Sequence, residues 1–316
     1  MVAAPAPKLE ELKSSIGVDA GPLARSLESF IREHVEKLER EGVILGLSGG
    51  IDSAVAAALC ARAVGPEKTL ALVMPDRDSR REHIKDALSF AAQLGIKTKL
   101  INITPYLRKI GAYKLFFLHR FPLPKNIKAK LAHEAHAYFE RKTGKTPFSA
   151  GILGIHDKQL DYYLKNCTAY YRIKHRLRMV LLYLNAEREN RLVVGAANKT
   201  EYRIGFFVKH GCDDAADLMP LLGLYKTQVR ELARALDLPA RIINKAPSPD
   251  IVPGITDEEA IGIPYEKLDL ILLALEKGWE IAEVAAVLEL EQGVAERVTE
   301  LTERSAHMRT TYVPEI

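Results

Sequence analysis

A serine, two glycines, an aspartate and a second serine stand almost side by side in Ser48-Gly49-Gly50-Ile51-Asp52-Ser53. Glycines allow a sharp turn, keep side chains out of the way and let backbone N–H groups converge. A helix starting at such a turn adds its positive end, and the combination suits a bound phosphate. Farther along, Ala196-Ala197-Asn198-Lys199-Thr200-Glu201 forms a second polar cluster, in which Glu201 is placed to share a cation with Asp52. Magnesium suits such oxygen ligands and would bridge polyphosphate oxygens. Other readings of the same letters stay open. The turn fits a tight connection with no ligand, and Glu201 fits a plain helix start. Gly46-Leu47-Ser48-Gly49-Gly50 also matches the G-x-S-x-G nucleophile elbow, which would make Ser48 the nucleophile of a serine hydrolase. That elbow gives Asp52 and Ser53 no role, and the only histidine near the C-terminus is His307.

The elements that must position these residues follow from periodicity. Val43, Ile44, Leu45 and Leu47 form a short apolar run of the kind buried on both faces of a sheet, and the alanine-rich run Ala54 to Cys60 reads as a helix packed closely on it. Thr69 to Met74 and Thr98 to Asn102 read as further strands around a charged helix from Arg80 to Leu94, and Arg191 to Gly195 as a fourth. Strand alternating with helix predicts an α/β fold with a doubly wound parallel sheet. Ligands sit outside the carboxyl ends of such strands, so Ser48–Ser53 and Met74–Ser79 should border one crevice.

Around this frame, residues 1–21 read as a loose N-terminal leader and residues 22–316 as one domain, opening with a helix from about Pro22 to Arg40 whose apolar stripe includes Leu27, Ile31 and Val35. Residues 105–168, rich in lysine, arginine, histidine and aromatics, read as an inserted subdomain, a lid or a subunit contact. His133 and His136 lie one turn apart there without a clear third metal ligand. A helix from about Ala169 is expected to carry Arg172, Lys174, His175, Arg176 and Arg178 in its first turns, with Arg176 and Arg178 able to reach a phosphate and others facing solvent. Helices from Tyr265 to Arg304 are expected to pack on the sheet.

Composition narrows the function classes. A formal charge of +4 permits anionic substrates but is far from a nucleic-acid-binding stripe. Cys60, Cys167 and Cys212 are widely spaced and form neither a C-x-x-C pair nor a disulfide framework. The N-terminus lacks the pattern of a signal peptide, and no run reaches the roughly 18 apolar residues of a membrane span. A cytoplasmic protein is expected.

Ser48 to Ser53 resembles the pyrophosphate-binding loop Ser-Gly-Gly-x-Asp-Ser of enzymes that split ATP between its α- and β-phosphates. The ordered series of this loop, Arg176, Tyr225-Lys226-Thr227-Gln228-Val229, Lys245-Ala246-Pro247-Ser248-Pro249-Asp250 and Asp257-Glu258-Glu259 resembles the NAD synthetase family, over most of the chain outside the leader and the insertion. The resemblance implies a Rossmann-like sheet of the adenine nucleotide alpha hydrolase type and a two-step reaction. The nicotinate carboxylate of deamido-NAD attacks the α-phosphate of ATP, releasing pyrophosphate, and ammonia then displaces AMP to give NAD. It implies that Gly46, Leu47, Ser48, Gly49, Gly50, Ile51, Asp52 and Ser53 hold ATP, that Asp52 and Glu201 bind Mg²⁺, and that Lys226 and Ser248 contact the ATP phosphates. Arg176, Lys209, Asp217 and His307 would contact deamido-NAD. Asp52, Lys226 and Glu201 would carry catalysis by positioning and charge neutralisation. A homodimer with the substrate site at its interface is implied as well. Glutamine-using members carry a separate amidase domain that finds no room upstream of Gly42, so free ammonia is expected, unless a separate glutaminase subunit delivers it.

The chain departs from the family pattern at several positions. Gly195-Ala196 stands for a usual Gly-Thr, Gly211-Cys212-Asp213-Asp214-Ala215-Ala216-Asp217 is one residue longer than usual, Arg172 replaces an asparagine, and His307-Met308 replaces His-Lys. These changes bear on the acid substrate more than on adenylation. A different carboxylate substrate and a nucleotide sensor without activity are the alternatives they leave.

Overall fold

Val43, Ile44 and Leu45 are wholly buried because their strand, β1 (Gly42–Gly46), lies inside the sheet and is covered on both faces. The computed structural model of the chain describes residues 5–115, 125–212, 214–247 and 254–314. Three more strands, β2 (Thr69–Val73), β3 (Lys97–Leu100) and β4 (Arg191–Val194), pair with β1 in the order β3-β2-β1-β4, all parallel. The order reverses at β1, since β2 lies on one side and β4 on the other. At such a switch point a crevice opens at the carboxyl ends of the strands. The outer strand β3 carries Lys97, Thr98 and Lys99, and lysines on an edge discourage pairing with another chain.

Alternation along the strands sorts the two faces. Val43, Leu45, Ala71, Val73, Leu192 and Val194 join a core with α2 (Ala20–Lys37), α3 (Ile51–Val64) and α10 (Lys226–Ala235). Ile44, Leu70, Leu72 and Val193 join another with α5 (Thr104–Lys109) and α8 (Lys158–Arg188). Alanines at 54, 56, 57 and 58 let α3 lie close to β1, which brings the start of α3 to the strand's rim. The helix α4 (Arg81–Leu94) connects β2 to β3, and α9 (Lys199–Ile204) follows β4.

Three expectations are corrected. Residues 5–16 are no loose leader: Pro5–Ile16 forms α1, and Leu9, Leu12 and Ile16 recur at the spacing of one helical face. Leu12 is fully buried in a second core with α13 (Tyr265–Glu276), α14 (Ile281–Val287) and α15 (Val294–Arg304). Those C-terminal helices pack on α1, on α9 and α10 and on α7 (Pro147–Leu153), and not on the sheet as expected. Finally, α8 begins at Lys158 instead of about Ala169, because the Asp157 carboxylate accepts hydrogen bonds from the amides of Gln159 and Leu160. Arg172 to Arg178 thus sit in the middle of a 31-residue helix. The segment expected as an insertion holds α5, α6 (Lys125–Thr143), α7 and the first turns of α8.

The docking of α1 is open to a direct check. Leu12→Ala removes a fully buried side chain and is expected to lower unfolding stability by about 2–5 kcal/mol in urea denaturation. A loss near zero would mean that α1 is not held in this core.

Candidate functional site

The turn after β1 takes a shape that only glycine tolerates at one point. Gly49 has φ +83°, and a Cβ there would fall 2.3 Å from the carbonyl oxygen of His83. Two hydroxyls brace the rest. Ser48 Oγ lies 3.0 Å from Ser53 Oγ, the amides of Ser48 and Gly50 donate to Ser53 Oγ and Ser48 Oγ at 3.2 Å each, and the Ser53 hydroxyl reaches the Gly50 carbonyl at 3.0 Å. Gly50 is the N-cap of α3 and offers no side-chain acceptor, so the helix starts without a cap of its own. Among the described residues Ser48 Oγ has no imidazole partner. The hydroxyl is braced as a turn component rather than activated as an elbow nucleophile.

Beside this loop lies a buried ion cluster. Lys226 Nζ donates to Asp52 Oδ2 at 2.6 Å and to Glu201 Oε1 at 2.9 Å, with the lysine only 1% exposed. Three elements supply the members. Asp52 stands in the first turn of α3, Glu201 in α9 and Lys226 at the start of α10. Asn198 fixes two of them at once, since its carbonyl caps α9 by accepting from the Glu201 amide at 3.0 Å and its Nδ2 donates to Asp52 Oδ1 at 3.0 Å. The Lys226 amide donates to Thr200 Oγ1 at 2.9 Å, and Thr200 hands its own proton to Asp269, which also accepts from the Thr227 amide at 2.8 Å. Tyr265 lies beneath the ammonium, and its hydroxyl donates to Glu201 Oε1 at 3.0 Å and approaches Asp257 Oδ2 at 3.3 Å.

With Asp52, Glu201 and Asp257 ionised, three negative charges face one ammonium, leaving a net −2. Burial, and the charges of the other acids, hold the Glu201 and Asp257 carboxyls above their usual range. Burial alone would lower the Lys226 ammonium, yet Asp52, Glu201 and Asp257 outweigh it and keep the lysine charged. All these side-chain donors for a cation are oxygens, which suits a hard divalent ion such as magnesium. Among the described residues no three acids close into a cage. Magnesium seldom needs one, because it keeps several waters and takes one or two carboxylates, here Asp52 and Glu201.

The loop and the cluster line one crevice of about 260 Å³, whose other walls include Met74, Ser79, His83, Ala196, Cys212, Lys245 and Asp257. Gly46, Leu47, Ser48, Gly50, Ile51, Asp52 and Ser53 all face it. Gly49 shapes the turn from behind. The Lys245 ammonium donates to the Gly49 carbonyl at 3.0 Å and pairs with Asp86, tying the 240s segment to the loop. Arg178 faces the crevice and holds the Met74 carbonyl at 3.1 Å. A second, largely aromatic cavity of about 600 Å³ lies between α6, α7, α8 and residues 205–208, and shares His175 and Phe206 with the first. Lys174, one of the basic residues of α8, of which some were expected to face solvent, is 2% exposed. It bridges Asp76 at 2.6 Å and Asp78 at 2.8 Å, with the Tyr170 hydroxyl on Asp78 as well, and so anchors the loop after β2 to α8.

The remaining expected residues fall elsewhere. Arg176, Lys209, Asp217 and His307 line neither the crevice nor the second cavity. Three of them nevertheless join: the exposed Arg176 guanidinium donates from Nε and Nη2 to the Lys209 carbonyl at 3.3 Å, and Lys209 Nζ holds the His307 and Thr310 carbonyls at 3.0 and 2.6 Å. Asp217 instead accepts from the Val193 amide at 2.7 Å and from the Tyr183 hydroxyl at 3.1 Å, bracing β4 against α8. Ser248 lies outside the described residues. Asn198, Lys245, Asp257 and Tyr265 had no expected site role. Asp257 is hidden in sequence because Thr256 and Glu259 form a capping box, which accounts for acids at that helix start without a site. Of the departures, Ala196 faces the crevice, Cys212 Sγ faces it 3.4 Å from His175 Nδ1, Arg172 borders the second cavity and Met308 is buried.

The sequence matches the pattern of the NAD synthase family over residues 23–146 and 156–312, which takes in all but residues 147–155 of the segment expected as an insertion. The NH(3)-dependent NAD(+) synthetase of Thermotoga neapolitana is 44% identical over 261 residues, covering 83% of this chain and 87% of that one. Among solved structures, NMN synthetase from Francisella tularensis superposes with a TM-score of 0.69 at 27% identity, over 95% of this chain and 99% of that one. NH3-dependent NAD synthetase from Campylobacter jejuni, in complex with the nitrate ion, gives 0.64 at 26% identity over the same shares. The likeness thus runs through both faces of the sheet and every element that carries Asp52, Glu201 and Lys226, and the chain belongs to the NAD synthase family.

Proposed function

We propose that this chain is an ATP-dependent amide ligase that adenylates the nicotinate carboxylate of deamido-NAD and transfers ammonia to it, giving NAD, AMP and pyrophosphate. The observation that carries the reading is the Asp52–Lys226–Glu201 cluster beside a turn in which residues 49 and 50 carry no side chain. A carboxylate is a poor acyl donor until one oxygen becomes a leaving group, and adenylation achieves that with no protein nucleophile. The chain's task is then to orient a triphosphate and to balance its charge. The turn from Gly46 to Ser53 would cradle the phosphates, and Ser248 would join them from the segment after Lys245. Asp52 and Glu201 would hold Mg²⁺, which supplies charge neutralisation on the polyphosphate when bound. Lys226, released from its two acids, would turn its ammonium to the same phosphates. The aromatic cavity beside the crevice has room for a nicotinate ring, and its shared wall at His175 and Phe206 lets a carboxylate reach the α-phosphate.

Arg176, Lys209 and His307 lie outside the crevice of their own chain, and their role toward deamido-NAD fits a homodimer. On α8, Arg176, Val180 and Leu184 recur every fourth residue on one exposed stripe, with Val180 62% and Leu184 49% exposed. A second copy seated on that stripe would cover the apolar residues and bring a basic cluster to a shared substrate site. The segment 105–168 is read as an appendage of the 22–316 domain that walls the aromatic cavity. Ammonia is read as the nitrogen source, in line with the NH(3)-dependent relative; delivery by a separate glutaminase subunit is the other source. No described helix is long and apolar enough to cross a membrane, and a cytoplasmic location is the reading that accords with ATP as co-substrate.

The test is pyrophosphate release with ATP, Mg²⁺ and deamido-NAD, with and without ammonium. Pyrophosphate and NAD should both form, the latter only with ammonium. The likeness to NMN synthetase makes nicotinate mononucleotide the competing acid. If it turns over with the higher kcat/KM, the acid substrate is wrong while the adenylation chemistry stands. Asp52→Asn should fold normally and lose at least about 100-fold in pyrophosphate release; wild-type activity in that variant would remove the cation assignment. Val180→Asp puts a charge on the α8 stripe and should shift the protein from dimer to monomer in sedimentation velocity. An unchanged sedimentation coefficient would place any subunit contact elsewhere.

A further inference from the structure

Asp257 is the one acid of the cluster with no bond to the lysine. It is 6% exposed, it borders the crevice, and its Oδ2 meets the Tyr265 hydroxyl at 3.3 Å. Its other oxygen, Oδ1, is buried with no hydrogen-bond donor among the described residues. The backbone there is already fixed without it, since the Asp257 amide donates to the Pro247 carbonyl at 2.9 Å and the capping box is made by Thr256 and Glu259. A buried carboxylate oxygen without a donor costs stability, and an apolar residue of similar size would avoid the cost. The side chain is therefore kept for a donor that arrives with a ligand.

The charge count says which kind of ligand. Three acids, Asp52, Glu201 and Asp257, meet a single ammonium, Lys226, in a confined space, an excess of acidic oxygens that a divalent cation would balance. The cluster does not close into a three-acid cage, so the third acid has no need to touch the ion itself. A magnesium ion held by two carboxylates keeps waters, and each such water is a strong hydrogen-bond donor. We propose that Asp257 is a positioning residue of the cation site, its Oδ1 accepting a hydrogen bond from the hydration shell of the ion that Asp52 and Glu201 hold. Through Tyr265, which bonds Glu201 Oε1 at 3.0 Å, the same side chain also steadies one of the two direct ligands. The assignment rests on the adenylating function proposed above and adds a residue to its cation site.

The experiment is a Mn²⁺ titration followed by electron paramagnetic resonance, on the full chain with a non-hydrolysable α,β-methylene analogue of ATP. Asp257→Asn should bind Mn²⁺ about tenfold more weakly than wild type, as loss of an outer partner typically does. Tyr265→Phe, which removes the hydroxyl but leaves Oδ1 in place, should stay closer to wild type. Analogue affinity measured without metal should not fall in either variant, and relief of repulsion in Asp257→Asn can only raise it. Equal losses in Asp257→Asn and Tyr265→Phe would mean that Asp257 only holds the tyrosine, which overturns the proposal. Unchanged Mn²⁺ affinity in Asp257→Asn with a loss in Asp52→Asn would strike Asp257 alone. Unchanged affinity in both would overturn the cation site itself. Should Asp257→Asn not fold, Asp257→Glu, which keeps the charge and displaces the oxygens by one methylene, is read by the same titration and should weaken Mn²⁺ binding.

Discussion

A lysine ammonium almost sealed from water is the constraint on which the rest of this structure turns. Removing one charge from solvent costs several kcal/mol, and Lys226 is tolerated only because Asp52 and Glu201 meet it at 2.6 and 2.9 Å. Those partners belong to α3 and α9, which follow different strands, and the lysine belongs to α10. The triad therefore fixes how three helix starts converge on one rim of the sheet. Thr200 and Asp269 extend the same requirement inward, because they hold the Lys226 and Thr227 amides and tie α10 to the C-terminal helices. An arrangement that buries three acids about one ammonium is a poor way to gain stability, since well-packed apolar residues would do as well or better. Its logic lies in a ligand that brings positive charge and lets the ammonium move to a new anion.

The glycine turn and the ion cluster depend on each other. The turn can pass so near His83 only without a Cβ at residue 49, and that path brings the first turn of α3, with Asp52 in it, to the crevice. Alanines along α3 supply the rest by letting the helix sit tightly on β1. Lys245 holds the outer side of the turn through the Gly49 carbonyl. On the opposite wall, Lys174 binds Asp76 and Asp78, so the loop after β2 is set by a buried charge pair rather than by its own turn residues. Two rims of the crevice are thus fixed electrostatically from behind, while the turn itself offers a ligand glycines and small hydroxyl side chains.

What the sequence made legible, and what it hid, follows the range of the interactions. The four parallel strands, the turn and the pairing of Asp52 with Glu201 about one crevice could be read, because apolar runs and glycine pairs are local signals and strand topology does the rest. The N-terminal helix was read as loose because α1 gains its place only from Leu12 in a core built by residues far along the chain. The start of α8 was set eleven residues late because the cap at Asp157 is a single side chain inside a polar stretch. The burial of Lys174 is hidden among five basic residues of one stretch because its acidic partners are distant in sequence. Of the four residues that the resemblance assigns to deamido-NAD, Arg176, Lys209 and His307 meet one another away from the crevice while Asp217 braces β4, and spacing along a chain says nothing of direction once loops intervene. Asp257 looked like a helix cap because it is beside one.

One helix connects most of these regions. Along α8, Tyr170 and His175 border the aromatic cavity, Lys174 and Arg178 grip the loop after β2, and Arg176, Val180 and Leu184 face outward. One helix of 31 residues therefore serves both cavities and the outer face, since Lys174 and Arg178 bind the crevice rim while the outward stripe lies on other positions of the same turns. A copy seated on that stripe would therefore press on the element that holds Met74 and Asp78 in place. The crevice and the aromatic cavity thus share one support, and His175 and Phe206 stand in the wall of both.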